Sequence, residues 1–177
     1  LHDVTHIPFG HTLEDERRVL PRHDKDHGRL SYFLEGSSIG TVLRKHGIQQ
    51  EIFSILTEKG TLASDIVSGA ISADLLDYLR RDNYFCGLSQ FYDDRVLQSC
   101  AEQDGRFILE LEKYGMLRRD ALSEVVNLLR IRYTLSERVY FHHTKLASGA
   151  MISKVVELAI TAGFKSEDLW LLKDESL

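Results

Sequence analysis

The sequence lacks several features that would assign it to common protein classes. Its two cysteines, Cys86 and Cys100, lie far apart without CxxC spacing, so neither a disulfide framework nor a cysteine zinc site is indicated. No apolar run reaches the roughly 18 residues that a membrane-spanning helix needs, and no secretion signal is recognisable. Lys and Arg number 22 against 27 Asp and Glu, a net charge of −5 that excludes a broad surface for nucleic acid or for an anionic membrane. These absences favour a cytoplasmic protein.

Proline is also scarce, and this scarcity favours helices. Pro8 and Pro21 are the only prolines among 177 residues, and 43% of the residues are hydrophobic, enough for one domain with a sizeable core. Glycines that follow apolar-periodic runs indicate helix ends. The patterns predict helices near 37–46, 48–58, 64–85, 90–104, 119–137 and 138–162. Segment 106–112 alternates at period two and predicts a strand, so the expected fold is mainly α with at most a small β-hairpin.

Histidine is concentrated near the start of the chain. Five of the eight histidines fall within positions 2 to 27: His2, His6, His11, His23 and His27. Histidine is the commonest metal ligand and titrates near neutral pH, so the concentration indicates a metal or phosphate site. For His23, which lies in a charge-rich stretch, we prefer a solvated loop.

The first six residues contain three side chains of the metal-ligand type. On a helix, His2 and His6 would share a face and Asp3 would overlap it. Ile7-Pro8 would end such a helix, because the residue before proline avoids the α region. We therefore expect His2, Asp3 and His6 to converge at a helix end that faces a loop.

A second group of polar residues lies within the helix predicted at 64–85. Asp74, Tyr78 and Asp82 recur every four residues and form one stripe, which suits a helix lining a polar cleft. Asp77 and Arg81 are also four apart, and we expect them to form an ordinary surface ion pair.

A third group lies near residue 136. Arg132, Ser136 and Tyr140 would share a helix face, and arginine matches phosphate oxygens with its planar fork. The alternative for Arg132 is a surface arginine on a helix rich in them.

Two stretches carry a family resemblance. The segments Leu1-His2-Asp3-Val-Thr-His6-Ile-Pro-Phe-Gly-His11-Thr12 and Ala73-Asp74-Leu-Leu-Asp77-Tyr78-Leu-Arg-Arg81-Asp82 resemble the HD-domain metal-dependent phosphohydrolases. Within that family they are similar to the deoxynucleoside triphosphate triphosphohydrolases. The resemblance extends from Arg132-Tyr133 to Val139-Tyr140-Phe-His142-His143. It implies one HD-domain helical bundle over residues 1–177.

The resemblance also implies roles for individual residues. His2, Asp3 and Asp74 would ligate a divalent metal, which could be Mn, Mg, Fe, Ni or Zn. His6 and His27 match histidines near the substrate phosphates, and Glu14 matches an acidic residue that orients His6. Tyr78 would pack on the sugar and Asp82 would accept from its 3′-hydroxyl, with Arg132 and Tyr140 lining the sugar or phosphate side. The implied reaction converts a deoxynucleoside triphosphate to the deoxynucleoside and inorganic triphosphate, and the implied assembly is a homo-oligomer.

The sequence departs from the family pattern at two points. The family's first metal-binding histidine is expected upstream of the His-Asp pair and has no counterpart in this sequence, which begins at Leu1. We therefore interpret the chain as a fragment that lacks N-terminal helices and possibly a C-terminal portion. Leu75 stands where some members carry a phosphate-contacting basic residue. Three alternatives stay open: hydrolysis of another phosphoester, a nucleotide-binding regulatory module, and a helical scaffold whose histidines are accidental.

Overall fold

The fold is mainly α, as the sequence predicts. The computed structural model describes residues 1–177, of which 62% are helical. The chain forms two compact units, the first from Leu1–Thr57 and His143–Leu177, the second from Glu58–His142. No helix combines the length and the apolar character that crossing a membrane requires.

The first unit is built from three short helices and the long helix α7, with two apolar clusters. Its α-helices are α1 (His27–Ser31), α2 (Ser38–Lys45), α3 (Gln49–Thr57) and α7 (His143–Thr161). It also contains two π-helical segments, Thr12–Glu16 and Tyr32–Gly36, and two 3₁₀ segments, Ser166–Leu171 and Asp174–Ser176. One cluster consists of Ile7, Leu13, Leu20, Val156 and Leu169. The other consists of Leu30, Leu34 and Leu43. The histidine-rich loop is thus anchored by the apolar residues that flank it.

The second unit combines three α-helices with two hairpins. The helices are α4 (Leu62–Ser68), α5 (Ala73–Phe85) and α6 (Arg119–Leu135); a 3₁₀ segment at Asp94–Ser99 precedes β1, and a π-helical segment at Ser136–Tyr140 follows α6. Strands β1 (Cys100–Gln103) and β2 (Arg106–Leu109) pair antiparallel, as do β3 (Glu112–Lys113) and β4 (Met116–Leu117). Leu75 and Leu79 of α5 pack with Leu128, Ile131 and Leu135 of α6, and Tyr78 is partly buried against the edge of this core.

The helix predicted at 64–85 is interrupted. Its first part ends at Ser68, and Gly69 has an extended ψ of 178°. A side chain at Gly69 would place its Cβ 2.3 Å from the Asp65 carbonyl oxygen, so this exit from the helix requires glycine. The Ser72 hydroxyl then accepts from the Leu75 amide and starts α5.

The helix predicted at 90–104 is wrong. Asp94–Ser99 is 3₁₀, and from Cys100 the chain is a strand that pairs with β2. Asp104 and Gly105, with φ of 52° and 73°, form the hairpin turn between these strands. Gly105 follows a charged run, a pattern that predicts a helix end, whereas Asp104-Gly105 forms a hairpin turn. The strand expected in segment 106–112 is confirmed as β2.

The helix expected over residues 2–6 is also replaced, by turns. The Val4 amide donates to the Leu1 carbonyl and the His6 amide to the Asp3 carbonyl, both at 3.0 Å. Each of these hydrogen bonds joins residues i and i+3 of a turn, and no helix is formed before Pro8. Similarly, the helix predicted at 138–162 starts only at His143, because the π-helical segment at Ser136–Tyr140 comes first.

Two adjacent leucines of α6 provide a test of the second unit's core. Leu128 is 1% exposed and Leu129 is 55% exposed. We expect Leu128→Ala to lower the free energy of unfolding by about 2–5 kcal/mol, because it leaves a cavity. Leu129→Ala is the matched control and should change it by less than about 1 kcal/mol. Urea unfolding followed by circular dichroism measures both, and equal losses would contradict this packing.

Candidate functional site

The first unit brings three imidazole rings together. We call His6, His11 and His23 the histidine group. The ring centroid of His6 lies 4.1 Å from that of His23 and 5.0 Å from that of His11, and those of His11 and His23 are 5.3 Å apart. His11 is held by Asp15, whose Oδ2 lies 3.2 Å from its Nδ1. The interpretation of His23 as a solvated loop residue is therefore wrong, since its side chain is only 11% exposed.

A buried carboxylate and a buried guanidinium lie behind this group. Glu14 Oε2 is 2.8 Å from His23 Nδ1, and Arg29 Nη1 donates to Glu14 Oε1, also at 2.8 Å. The side chains of Glu14 and Arg29 are 0% and 1% exposed. Burial alone would raise the pKa of Glu14, but the hydrogen bonds from His23 and Arg29 outweigh it and lower this pKa from 4.5 to about 2. Glu14 is therefore a carboxylate at neutral pH.

Arg29 connects several parts of the loop at once. Its Nη1 donates to the Thr5 carbonyl at 3.0 Å and its Nη2 to the Pro21 carbonyl at 2.9 Å. Its Nε reaches Asp26 Oδ2 at 3.3 Å, while Asp26 Oδ1 caps the first turn of α1 through the Arg29 amide. No pattern in the sequence points to this residue, because an arginine in a first helical turn is ordinarily a surface residue.

The Asp3 carboxylate faces two imidazoles. Its Oδ2 lies 3.1 Å from His2 Nε2, and its Oδ1 lies 3.3 Å from His6 Nε2. Burial is the main cause that lowers the pKa of His6, and the neighbouring His23 lowers it further. At neutral pH the His6 ring is therefore neutral, the form that binds metal ions. The predicted convergence of His2, Asp3 and His6 is present, although turns rather than a helix produce it.

Several combinations of these groups could hold a metal ion. Asp3, His6 and His23 each offer a ligand atom within 4.8 Å of the others, and so do His11, Glu14 and His23. Imidazole and carboxylate donors suit Mn, Fe, Co, Ni and Zn. The first unit thus contains residues fit for a divalent cation.

Two residues predicted for this site have different surroundings from those expected. Glu14, expected to orient His6, bonds to His23 and Arg29 instead, because the buried guanidinium fixes one of its oxygens. His27 begins α1 and is exposed. Asp74 lies in the first turn of α5 in the second unit, and its role as a metal ligand stays a prediction.

The second unit brings together the residues expected to bind the sugar. The Tyr140 hydroxyl donates to Asp82 Oδ2 at 2.5 Å, and the rings of Tyr78 and Tyr140 are 6.3 Å apart in a T-shaped arrangement. Burial, followed by the hydrogen bond to Asp82, raises the pKa of Tyr140. Burial also raises the pKa of Tyr78, whereas the charge of Arg132 opposes that shift. Both phenols are therefore protonated at neutral pH, and Arg132 is near enough to Tyr78 to influence it.

Another expectation for α5 is confirmed. Asp77 and Arg81 form the predicted ion pair, with side chains 62% and 55% exposed. Asp77 is therefore a surface residue, in contrast to Asp82 on the same helix.

The chain has relatives among curated proteins, although no family model matches it. It is 27% identical over 165 residues to the uncharacterized protein YwfO of Bacillus subtilis (strain 168), which covers 90% of this chain and 35% of that protein. It is 31% identical over 163 residues to the uncharacterized protein MJ1154 of Methanocaldococcus jannaschii, covering 88% of this chain and 32% of that protein. The chain spans about a third of the length of these relatives.

Removal of the Glu14 charge should destabilise the first unit. We expect Glu14→Gln to lower the free energy of unfolding at pH 7 by about 3 kcal/mol or more, because the buried Arg29 loses its charged partner. Asp15→Asn is the matched control: Asp15 pairs with Arg22, but both side chains are about 40% exposed, so its loss should cost less than about 1 kcal/mol. Equal effects in urea unfolding would contradict the role given to Glu14.

The same pair predicts a pH dependence. Because folding depresses the pKa of Glu14 from 4.5 to about 2, its contribution to stability is complete above pH 4.5 and is lost as the pH falls towards 2. The stability difference between the parent and Glu14→Gln should therefore shrink across this range. Urea unfolding at a series of pH values measures it, and a constant difference would show that Glu14 titrates normally.

Proposed function

We propose that this chain belongs to a divalent-metal phosphohydrolase that converts a deoxynucleoside triphosphate to the deoxynucleoside and inorganic triphosphate. The observation that carries the proposal is the group of ligand-type side chains in the first unit, where Asp3 faces both His2 and His6 and a buried carboxylate lies behind His23. The family resemblance of the motifs supplies the reaction. We also expect a homo-oligomer in the cytoplasm.

The residues fit a divalent cation. His6 Nε2 is buried and makes no hydrogen bond, as expected of a nitrogen that serves as a ligand or meets a substrate. According to the resemblance to HD-domain phosphohydrolases, His2 and Asp3 would hold the ion, with Asp74 as a further ligand. A divalent cation bound there would polarise a phosphoryl oxygen and lower the pKa of a bound water.

The histidines can serve proton transfer as well as binding. His6 is neutral in the free protein, but an anionic phosphate beside it would stabilise the imidazolium and raise its pKa again. A histidine protonated in this way can deliver a proton to the departing 5′-oxygen of the nucleoside. His27, which is exposed, is the second predicted donor.

The second unit supports the choice of a sugar-containing substrate. Tyr78 and Tyr140 offer aromatic surface, and Asp82 uses Oδ2 for the Tyr140 hydroxyl, which leaves Oδ1 as the acceptor proposed for the 3′-hydroxyl. Arg132 would contact phosphate oxygens.

The reaction can be tested directly. The protein is incubated with Mn(II) and each deoxynucleoside triphosphate, and the products are separated by anion exchange. We expect inorganic triphosphate from the parent, and a loss of more than about 100-fold in Asp3→Asn, since removing only a partner of a metal ligand already costs 10–100-fold. Asp77→Asn, the surface control, should retain activity. Binding of nucleotide without turnover would favour a regulatory module. Hydrolysis of other phosphoesters, but of no deoxynucleoside triphosphate, would show that the substrate belongs to another class.

The sugar contact gives a separate prediction. In Asp82→Asn the KM for the deoxynucleoside triphosphate should rise about 10–100-fold, the value of a hydrogen bond to a charged group. A 2′,3′-dideoxynucleotide lacks the 3′-hydroxyl, so its binding should be weak in the parent and little changed in Asp82→Asn. Asp77→Asn is again the control. An equal loss for both nucleotides would contradict the contact between Asp82 and the 3′-hydroxyl.

A further inference from the structure

The second unit has a groove along α5 that the proposed reaction does not use. The groove has a volume of about 560 Å³ and is lined by helix residues within 76–84 and by Phe91 and Tyr92. Helix positions 76, 80 and 84 share one face, whereas Tyr78 and Asp82 are turned about 200° away from positions 80 and 84. The groove is therefore separate from the residues proposed to bind the sugar.

Three aromatic rings are exposed at this groove. Tyr84 is 71% exposed, Phe85 78% and Phe91 61%. The ring centroids of Tyr84 and Phe85 are 5.2 Å apart, and Phe91 lines the groove together with Tyr84, so the three rings form one patch. Aromatic side chains bury about 150–250 Å² each, so this patch offers on the order of 400 Å², about half of what each partner contributes to a standard interface. Exposed apolar patches of this size mark interaction sites.

Charged residues of both signs border the rings. Arg81 pairs with Asp77 on α5, and Arg80 Nη2 donates to Asp94 Oδ1 at 2.6 Å. These ion pairs are exposed and contribute little to stability, so they can be exchanged for pairs with another molecule. A purely acidic partner would be repelled by the two aspartates, and a purely basic one by the two arginines. A surface with both signs around an apolar centre is instead complementary to itself, as a two-fold interface between identical subunits requires.

Arg80 is held in position within the monomer. Its guanidinium carbon lies 4.5 Å from the centroid of the Tyr92 ring, and the Tyr92 hydroxyl donates to the Leu76 carbonyl at 2.7 Å. Because the ring and Asp94 both restrict this side chain, little rotamer freedom is lost when a partner contacts it. Tyrosine and arginine are also the residue types that carry much of the binding energy at protein interfaces.

We propose that this face of α5 packs against the same face of a second copy of the chain. Tyr84 and Phe91 lie at the centre of the interface, and the two-fold symmetry places Arg80 and Arg81 of each copy against Asp77 of the other. The inference rests on the expected homo-oligomer and names the surface that forms it. It does not depend on the hydrolysis, because Tyr78 and Asp82 lie on another face of the helix.

Charge reversal tests this pairing in solution. One variant carries Asp77→Arg, the other carries Arg80→Asp and Arg81→Asp, and sedimentation velocity is measured over a series of concentrations. We expect the parent to be a dimer and each variant alone to dissociate at least about 100-fold more readily, because like charges then face each other across the two-fold axis. An equimolar mixture of the two variants should form a heterodimer of about parental affinity. Two misfolded variants could not restore each other in this way.

Matched controls separate the face from general effects of charge. Asp77→Asn creates no repulsion and should remain a dimer, as should Glu112→Arg, which reverses an exposed charge on strand β3. Phe91→Ser, at an exposed position that the fold tolerates, should weaken the dimer at least about 10-fold.

The outcomes distinguish the surface from the assembly. A parent dimer that both charge-reversal variants and Phe91→Ser leave unchanged would overturn the proposed face while retaining the homo-oligomer. A monomeric parent would overturn both, and neither result would bear on the hydrolysis. Variants that stay monomeric when mixed would show that the arginines do not face Asp77 of a second copy, and would equally overturn the proposal.

Discussion

The ion pair between Arg29 and Glu14 is the interaction on which the candidate site depends. Burial of two charges is expensive, and the pair is tolerated because the guanidinium also donates to two backbone carbonyls and to Asp26. The residues that it connects come from a segment with little regular secondary structure. Their geometry is therefore fixed by hydrogen bonds, which explains how a chain of turns can hold three imidazoles about 4–5 Å apart.

The second unit is held together by more conventional means. Leucines on one face of α5 pack with α6, and Tyr78 packs against the edge of this cluster. The π-helical segment that follows α6 carries Tyr140, whose hydroxyl bonds to Asp82. Apolar packing thus positions the Asp82–Tyr140 pair, whereas in the first unit a polar network positions the histidines.

The sequence predicted those elements whose apolar periodicity or helical residue spacing is also satisfied in the folded chain. Helices α2, α3 and α6 follow from apolar periodicity and their boundary residues, and the ion pair of Asp77 and Arg81 follows from helical spacing alone. The prediction failed at residues 90–104, because Asp104-Gly105 forms a hairpin turn although a glycine after a charged run is typical of a helix end. It failed at residues 2–6 because turn bonds form in place of a short helix. The burial of Arg29 and its contact with Glu14 join residues 15 positions apart, and no periodicity reports such a pairing.

Anomalous diffraction from crystals grown with Co(II) tests the central claim most directly, because it locates the ion without reference to any reaction. The account predicts an anomalous peak about 2.1 Å from an imidazole nitrogen of His2 and within bonding distance of an Asp3 oxygen, with His23 Nδ1 still on Glu14. An ion held without His2 and Asp3, or a His23 that has left Glu14, would contradict it.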